Sequence, residues 1–567
     1  MADIDELLTR EAPLWRAAVQ RADGPRVLLA TSMGGFNHGA VTDKALALAL
    51  TLRGARVEVF LCDGVAGCHL TKIGKEPPVQ VMASDQRLRC ASCVKLGEEA
   101  FAPLGLKVWR LSELLTAEDR AEAEGMAAAA DSRSLKSLRL NGWKVGEHAL
   151  AGALRYFARG DLAKEPQGDA VARKFLKAAV MTARGFDRLL AQRTFDVVSA
   201  NHGIYVPQGV VGEVARARGV RVVNWNPAYR RHCFVFSHGD TYHHTMISED
   251  VGSWRDLKLT PERLQTITGY LRDRREAKGD WIWFNKSADA PRQALAAELG
   301  LDDRPLIVAL TSVVWDACLH YESNAFESLT DWMLQTVDYF KGRPDLQLVI
   351  RVHPAEVTGF VKSRDRMVKA IAKRFGKLPE NIKVVPPESE LSTYSLLDHA
   401  NAVLLYSTKT GIEASAQGLP VVVAGEAWIR GKGFSRDATS PEGYRTILDT
   451  LPFQSRLSEA ERESALRYAY HFFFRRMIEL PFLADAGPAA FEIRLESLEE
   501  LMPGRHPGLD RICDGILSGA PFVYDALDDD GPVAAWAPPR PGLFRGLAAA
   551  AGWLRRCGRS PWPHSAA

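Results

Sequence analysis

The sequence predicts an α/β protein built from two doubly wound, Rossmann-like domains, and a series of short apolar runs carries this prediction. Three runs, Leu346–Val352, Ile382–Val385 and Ala402–Tyr406, each end in a polar cluster, and Pro420–Ala424 follows as a fourth. Strands of this length, separated by segments long enough for helices, are typical of a parallel sheet made of βαβ units. Because 567 residues exceed what one hydrophobic core usually holds, we expect two domains with extensions.

The overall composition is that of a globular protein with a small net charge. Lysine and arginine number 72 against 69 aspartate and glutamate residues, a net charge of +3, so no global charge recruits nucleic acid. Hydrophobic residues make up 46%, and no segment approaches the roughly 18 consecutive apolar residues that span a membrane. The first residues lack the apolar segment of a signal peptide. We therefore expect a cytoplasmic protein whose eight cysteines are reduced or bound to metal.

Polar side chains follow two of the predicted strands, at the edge of a parallel sheet where ligands bind. Arg351 and His353 end one strand, and Pro354 holds the histidine in an extended conformation. Hydroxyl groups, a lysine and backbone N–H groups at the helix start after another strand predict a phosphate site. The alternative is that these residues only cap a helix and that His353 is an ordinary loop histidine. The helix-start segment comprises Ser407, Thr408, Lys409, Thr410 and Gly411.

The first half of the chain opens with a strand, a glycine-rich turn and a helix start, as nucleotide-binding domains do. The strand is Arg26–Ser32, the turn after it holds His38, and the helix that follows carries Asp43. The turn does not match GxGxxG, so a dinucleotide site is not expected. A second strand-tip loop, 201–209, holds His202.

The pair His353-Pro354, followed by STKTGIEASAQGLPVVVAGE at 407–426, resembles the pattern of the bacterial capsule polysaccharide biosynthesis family. These proteins are GT-B-type glycosyltransferases of surface polysaccharide export, some of which use CMP-activated sugars. The resemblance is best over 305–451 and looser over 26–285. A retaining GT-B enzyme would carry a second glutamate at the position of Val421, so inversion is favoured.

The resemblance implies an inverting, metal-ion-independent glycosyltransferase. It would move a sugar from a nucleotide sugar, a CMP-sugar in preference to a UDP-sugar, to a surface or capsular polysaccharide or its lipid-linked precursor. The base that takes the acceptor proton would be His38, with His202 and then Asp43 as alternatives. Glu413 and Asp316 would contact ribose or sugar hydroxyls. A non-hydrolysing sugar-nucleotide 2-epimerase and a non-catalytic assembly or export protein stay open as alternatives.

Four cysteines in the first domain have a spacing that can close a tetrahedral thiolate site. The spacing is C-x5-C, a gap of 21 residues and then C-x2-C, which suits a structural zinc ion or an iron–sulfur cluster. The alternative is four separate thiols. Catalysis itself is expected to need no cofactor. The four candidate ligands are Cys62, Cys68, Cys90 and Cys93.

The expected organisation has six parts. They are an N-terminal helix (1–24), an acceptor-side Rossmann-like domain with the cysteine cluster and a helical insertion (25–285), a linker (286–304), a nucleotide-sugar-binding Rossmann-like domain (305–455), C-terminal helices (456–510) and a partly disordered Pro/Gly-rich tail (511–567). In the tail, Gly542–Arg559 combines leucines at helical spacing with arginines, which predicts weak attachment to the inner membrane surface or a disordered segment. The expected partners are the nucleotide sugar, a glycan or lipid-linked acceptor and the export machinery, without nucleic acid.

Overall fold

Two β-sheets surrounded by helices form the body of the molecule. The computed structural model describes residues 4–65, 87–278, 280, 291–319, 323–359, 361–487 and 490–524. The strands are β1 (Arg26–Ser32), β2 (Arg56–Leu61), β3 (Lys107–Arg110), β4 (Val197–Asn201), β5 (Arg221–Pro227), β6 (Cys233–His238), β7 (Leu306–Leu310), β8 (Gln347–Arg351), β9 (Ile382–Val385), β10 (Ala402–Leu405), β11 (Val421–Val423), β12 (Arg436–Asp437), β13 (Ile478–Glu479), β14 (Leu483–Gly487) and β15 (Ala490–Ile493).

The helices surround these strands along the whole described chain. They are α1 (Ile4–Arg10), α2 (Ala12–Arg21), α3 (Asn37–Leu52), α4 (Arg87–Phe101), α5 (Ala117–Ala129), α6 (Val145–Phe157), α7 (Gly168–Gln192), α8 (Gln208–Ala217), α9 (Tyr242–Ser248), α10 (Pro261–Arg275), α11 (Arg292–Leu299), α12 (Leu329–Lys341), α13 (Ala355–Thr358), α14 (Met367–Phe375), α15 (Thr393–His399), α16 (Thr410–Ala416), α17 (Pro441–Leu448), α18 (Glu459–Tyr470) and α19 (Pro507–Ser518).

The first sheet has seven strands in the order β13-β6-β5-β4-β1-β2-β3. The five strands from β5 to β3 are parallel, whereas β6 and β13 run antiparallel to their neighbours. The strand order reverses between β1 and β4, because β2 follows on one side and β5 on the other. Ligands of open α/β sheets bind at such a reversal, beyond the carboxyl ends of the strands.

The second sheet is parallel throughout and has the order β12-β11-β10-β7-β8-β9. Its reversal lies between β7 and β10. The residues of β7 and β8 are all buried, as expected for parallel strands whose two faces are both covered. The α/β class with two doubly wound, Rossmann-like sheets is therefore confirmed.

The end of the chain crosses back from the second sheet to the first. Helix α18 begins with a capping box in which Ser458 and Glu461 satisfy each other's backbone N–H groups. The aromatic run after it packs inward, with Phe473 at 4.9 Å from Tyr270 between ring centroids. Strand β13 then pairs with β6 of the first sheet. The aromatic run thus has a packing role.

Two short elements of strand occur where the sequence pattern indicates helix. β3 opens the segment 107–192, which is otherwise mostly helical, and the β14–β15 hairpin lies within 458–502. The tail segment Gly542–Arg559 lies outside the described residues. Among the residues that are described, no helix is both long and apolar enough to cross a membrane.

Candidate functional site

A cleft opens at the carboxyl ends of β7, β8 and β10, where the strand order of the second sheet reverses. Residues from the predicted anion site line it together with residues from α10 and α15. The lining consists of Arg274, Ala277, Lys278, Asp280, Leu310, Thr311, Arg351, His353, Pro354, Thr393, Tyr394, Thr408, Lys409, Thr410 and Glu413.

His353 is held at the tip of β8 by two backbone hydrogen bonds. Its own N–H donates to Thr311 Oγ1 at 2.9 Å, and its Nδ1 accepts from the N–H of Ala355 at 3.0 Å. Burial, reinforced by the charges of Lys409 and Arg351, lowers the pKa of the imidazole to about 4. The ring is therefore neutral at pH 7. Since Nδ1 accepts, the ring proton resides on Nε2, which makes that atom a hydrogen-bond donor.

Lys409 spans the gap between the two sheets. Its Nζ lies 4.0 Å from the centroid of the Tyr229 ring, which follows β5 of the first sheet. Burial and then the charge of Arg274 lower the pKa of the ammonium group to about 8, against the opposing effect of Glu413 and Asp280. At pH 7 the lysine thus remains largely charged. A partly desolvated cation of this kind attracts an anion more strongly than an exposed one does.

Arg351 lines the cleft but is already engaged. Its Nη1 donates to the carbonyl of Pro386 at 2.6 Å, and its Nη2 donates to that of Ser389 at 3.1 Å. Burial lowers the pKa of the guanidinium to about 10. The arginine therefore ties the loop after β9 to β8, a positioning contact that the sequence did not reveal.

The hydroxyl groups of the segment after β10 have two kinds of neighbour: one contacts the tip of β7, and two line the cleft. Ser407 Oγ lies 3.2 Å from Ser312 Oγ, which joins the tips of β10 and β7. Thr408 Oγ1 accepts from the N–H of Thr410 at 3.4 Å, and both threonines line the cleft. Gly411 is packed so closely that an added Cβ would lie 2.8 Å from Ile429 Cδ1.

Glu413 anchors a buried network under the cleft and is 1% exposed. Arg274 Nη2 donates to its Oε1 at 3.0 Å, and the Tyr394 hydroxyl donates to its Oε2. Arg274 also pairs with Asp280. Burial raises the pKa of Glu413, but Arg274 and Lys409 outweigh it and hold the pKa below its ordinary value. Both oxygens of the predicted sugar-contacting glutamate are thus occupied by protein groups.

Asp316 joins the two sheets through a second polar group. Tyr205 donates its hydroxyl hydrogen to Asp316 Oδ1 at 2.6 Å and accepts from the N–H of Ala317 at 2.8 Å. Arg155 of α6 forms an ion pair with the same carboxylate. Burial opposes ionisation, but Arg155 and Tyr205 keep the pKa of Asp316 below its ordinary value. The loop after β7 is therefore attached to α6 and to the loop after β4.

His202 belongs to this second group. Its ring centroid lies 5.0 Å from that of Tyr205 and 5.5 Å from that of Tyr242. Burial lowers the pKa of the imidazole to about 4, and Asp316 acts in the opposite direction. Its Nδ1 is buried and has no hydrogen-bond partner in the described part of the chain. The structure thus brings His202 and Asp316 together.

His38 and Asp43 lie in different surroundings. The His38 ring stacks on Phe491 of β15 at 4.0 Å between centroids, and burial lowers its pKa to about 4. Asp43 is buried beside Thr31 and Trp225, and burial raises the pKa of its carboxyl to about 7. In the structure His38 lies in the first turn of α3 and not on the glycine-rich turn that the sequence predicted, and the β14–β15 hairpin covers it.

The described cysteines of the first domain do not assemble a metal centre. Cys93 Sγ accepts from the N–H of Gly35 at 3.2 Å, and burial raises the pKa of this thiol. Cys68 lies outside the described residues. No group of three or more His, Cys, Asp or Glu side chains that could hold a metal occurs within the described ranges. The prediction of a zinc or iron–sulfur site thus has no support from the residues that the structure describes.

A family model matches the part of the chain that forms the second sheet. Residues 285–470 match the family model described as capsule polysaccharide biosynthesis protein. This range contains β7 to β12 and most of the lining of the cleft. Over residues 285–470 the chain is thus similar to the capsule polysaccharide biosynthesis family, and this match supports the resemblance seen in the sequence.

Solved structures give distant likenesses only. Two structures of KpsC from Thermosulfurimonas dismutans are among those that match. The β-Kdo 2,4 transferase is 16% identical over 48% of this chain and 79% of that one, with a TM-score of 0.31. The β-Kdo 2,7 transferase is 14% identical over 56% and 88%, with a TM-score of 0.32. UDP-GlcNAc 2-epimerase from Neisseria meningitidis is 10% identical over 78% and 95%, with a TM-score of 0.23. A comparison with curated proteins found no matching relative.

Proposed function

We propose that the chain is a glycosyltransferase of capsular or surface polysaccharide synthesis that binds a nucleotide sugar in the cleft at β7, β8 and β10. One observation carries the proposal: His353, Thr408 and Lys409, from two different strand tips, line one cavity at the reversal of a parallel sheet. A nucleotide phosphate is the ligand that this combination of a cation, a neutral imidazole donor and a hydroxyl group suits best.

The phosphate would take its hydrogen bonds from protein groups. Lys409 supplies the charge, and the Nε2–H of His353 supplies a directed donor that does not depend on a protonated ring. Thr408 adds a hydroxyl group at the mouth of the cleft. None of these contacts requires a metal ion, so the proposed binding should persist in EDTA.

A CMP-sugar is the donor that we favour over a UDP-sugar. The other cations of the lining are engaged with protein groups: Arg351 donates to two backbone carbonyls, Arg274 pairs with Asp280 and Glu413, and Lys278 pairs with Glu276. Lys409 is then the principal cation at the phosphate position. A single phosphate needs less compensating charge than a diphosphate does.

His202 is the base that we propose, with the acceptor a glycan or lipid-linked glycan. Its neutral imidazole would take the proton of the acceptor hydroxyl as the new glycosidic bond forms and the bond from the anomeric carbon to the phosphate oxygen breaks. The departing phosphate would keep its hydrogen bonds to His353 and Lys409. Asp316, close to His202, would stabilise the imidazolium that results. Attack from the face opposite the phosphate inverts the anomeric carbon.

The test is a calorimetric panel of CMP, CDP, UDP and GDP with the full chain, followed by incubation with the nucleotide sugars. We expect micromolar-to-millimolar binding of one nucleotide and sugar transfer only when an acceptor glycan is present. A chain that binds no nucleotide would contradict the proposal. Interconversion of the sugar without any acceptor would identify an epimerase instead.

A further inference from the structure

A third group of polar side chains lies where the loop after β11 meets the loop after β7. Glu426 follows β11 and is 3% exposed. The Ser323 hydroxyl donates to its Oε1, and the N–H of Ala325 donates to the carbonyl of Ala424 at 2.9 Å. The other carboxylate oxygen, Oε2, is buried and has no hydrogen-bond partner among the residues that the structure describes.

Two neighbours of Glu426 share this property. Asn324 Oδ1 and Trp428 Nε1 are also buried without a hydrogen-bond partner within the described chain. A buried polar atom without a partner is costly, so three of them on two adjoining loops require an explanation. A ligand that brings hydroxyl groups to two acceptors and one donor would satisfy all three.

The first sheet closes the other side of this group. The ring of His243 in α9 lies 5.4 Å from that of Trp428. The adjacent His244 is bonded to Asp240, which raises the pKa of His244, and its charge acts on Glu426 across the gap. Trp428 and Glu426 therefore face α9, the helix that follows β6 of the first sheet.

This group adjoins the proposed phosphate site. The Tyr229 ring, which lies 4.0 Å from Lys409 Nζ, is 5.9 Å from the Trp428 ring. β11 is also the direct neighbour of β10 in the sheet. A ligand whose phosphate rests on Lys409 would thus extend past Tyr229 toward Glu426.

We propose that Glu426, Asn324 and Trp428 form the subsite for the sugar ring of the nucleotide-sugar donor and bind its hydroxyl groups. The inference rests on the proposed function. A carboxylate at this position disfavours a second phosphate or a carboxylate of the ligand and accepts hydrogen bonds from hydroxyls. An indole N–H and an amide oxygen complete a set of donors and acceptors that a polyhydroxylated ring can satisfy. All three residues lie in loops that follow strands of the sheet with the phosphate site, which assigns the ring to the donor and not to the acceptor.

The test compares nucleotides with their sugars in calorimetry on the full chain. The probes are CMP with CMP-Kdo and CMP-N-acetylneuraminate, and UDP with UDP-N-acetylglucosamine. Glu426→Gln should leave the affinity for the free nucleotide unchanged and lower that for the nucleotide sugar by about tenfold or more, because a hydrogen bond to a charged group is lost. Trp428→Phe, which keeps the ring but removes the N–H, should lower only the nucleotide-sugar affinity, by about 2- to 10-fold.

Glu442→Gln, which removes an exposed carboxylate of the same sheet's α17, is the matched control and should change neither affinity. If Glu426→Gln and Trp428→Phe both bind nucleotide sugars as the unmodified chain does, the subsite is refuted. A parallel loss of nucleotide and nucleotide-sugar affinity in both variants would refute it too, since the residues would then act on the phosphate or on the fold. If the unmodified chain binds none of the probes, the proposed function fails, and the subsite fails with it.

Discussion

The two loops at the strand reversal of the first sheet begin alike and end in different surroundings. Each follows a buried parallel strand and leads into a helix, and each carries a histidine whose pKa burial lowers to about 4. The turn after β1 is covered by later parts of the chain. Phe491 stacks on His38, and α4 lies against Gly34 and Gly35.

The loop after β4 instead faces the second sheet. Tyr205 and Asp316 link it to the loop after β7, and His202 lies within this group with one ring nitrogen unsatisfied in the described chain. Similar local motifs thus lie in different surroundings. The difference arises from segments distant in sequence, such as Phe491 beside His38 and Asp316 near His202, so strand-turn-helix patterns alone do not distinguish the two loops.

The largest effect that separates the two loops should be on turnover. His202→Ala is expected to lower sugar transfer by about 10²–10⁴-fold, the usual contribution of a general base, with nucleotide affinity nearly unchanged. His38→Ala is the matched control at the covered loop and should retain turnover close to that of the unmodified chain. Initial rates with saturating donor and acceptor measure both. If His38→Ala lost turnover and His202→Ala did not, the base would be His38 and not His202.

The next effect should be on stability, at the covered loop. An added Cβ at Gly34 would lie 2.1 Å from the backbone nitrogen of Gly97 in α4. Gly34→Ala should therefore destabilise the fold by about 2–3 kcal/mol or more. Gly125→Ala in α5, where a Cβ meets nothing within 4 Å, is the control and should stabilise by about 0.5–1 kcal/mol. Thermal melting distinguishes them, and equal melting temperatures would show that the turn is not packed as described.

A smaller effect concerns acid stability. His38 has a pKa of about 4 in the folded chain against 6.5 in an unfolded one. The unfolded chain therefore binds the proton first, so this contribution to stability is complete above pH 6.5 and is lost as the pH falls toward 4. His38→Gln should reduce the loss by about 1.4 kcal/mol per pH unit in that window. Urea midpoints at pH 7 and pH 5 check this; an unchanged pH dependence would contradict the buried state of the ring.

The strands were predictable where they are long, apolar and bounded by polar residues. β1 and β9 have the predicted bounds, and β8 and β10 differ only at their ends. β3 was not predicted, because its four residues carry a lysine, an arginine and a tryptophan and form a strand only by pairing with β2. The β14–β15 hairpin likewise depends on its contact with α3, as in the bond from the Phe491 N–H to Asn37.

The site was predictable in part. His353, Thr408 and Lys409 lie in one short motif at strand ends, so a sequence pattern places them at one edge of the sheet. Tyr229 and Arg274 come from the first 275 residues and reach the cleft only through the packing of two sheets. No local pattern marks such residues, and their roles emerge only from the folded chain.

The most direct measurement of the central claim is nucleotide affinity in variants of the cleft. Calorimetry with CMP and UDP, in EDTA at pH 7, would compare the unmodified chain with His353→Ala, Lys409→Ala and the exposed control Lys377→Ala. Removing one charge-assisted hydrogen bond should weaken binding about 10- to 150-fold in the first two variants and leave the control unchanged. Because the pKa of Lys409 is about 8, the affinity of the unmodified chain should also fall above that pH, and Lys409→Ala should abolish this dependence. Unaltered affinity in both cleft variants would contradict the site.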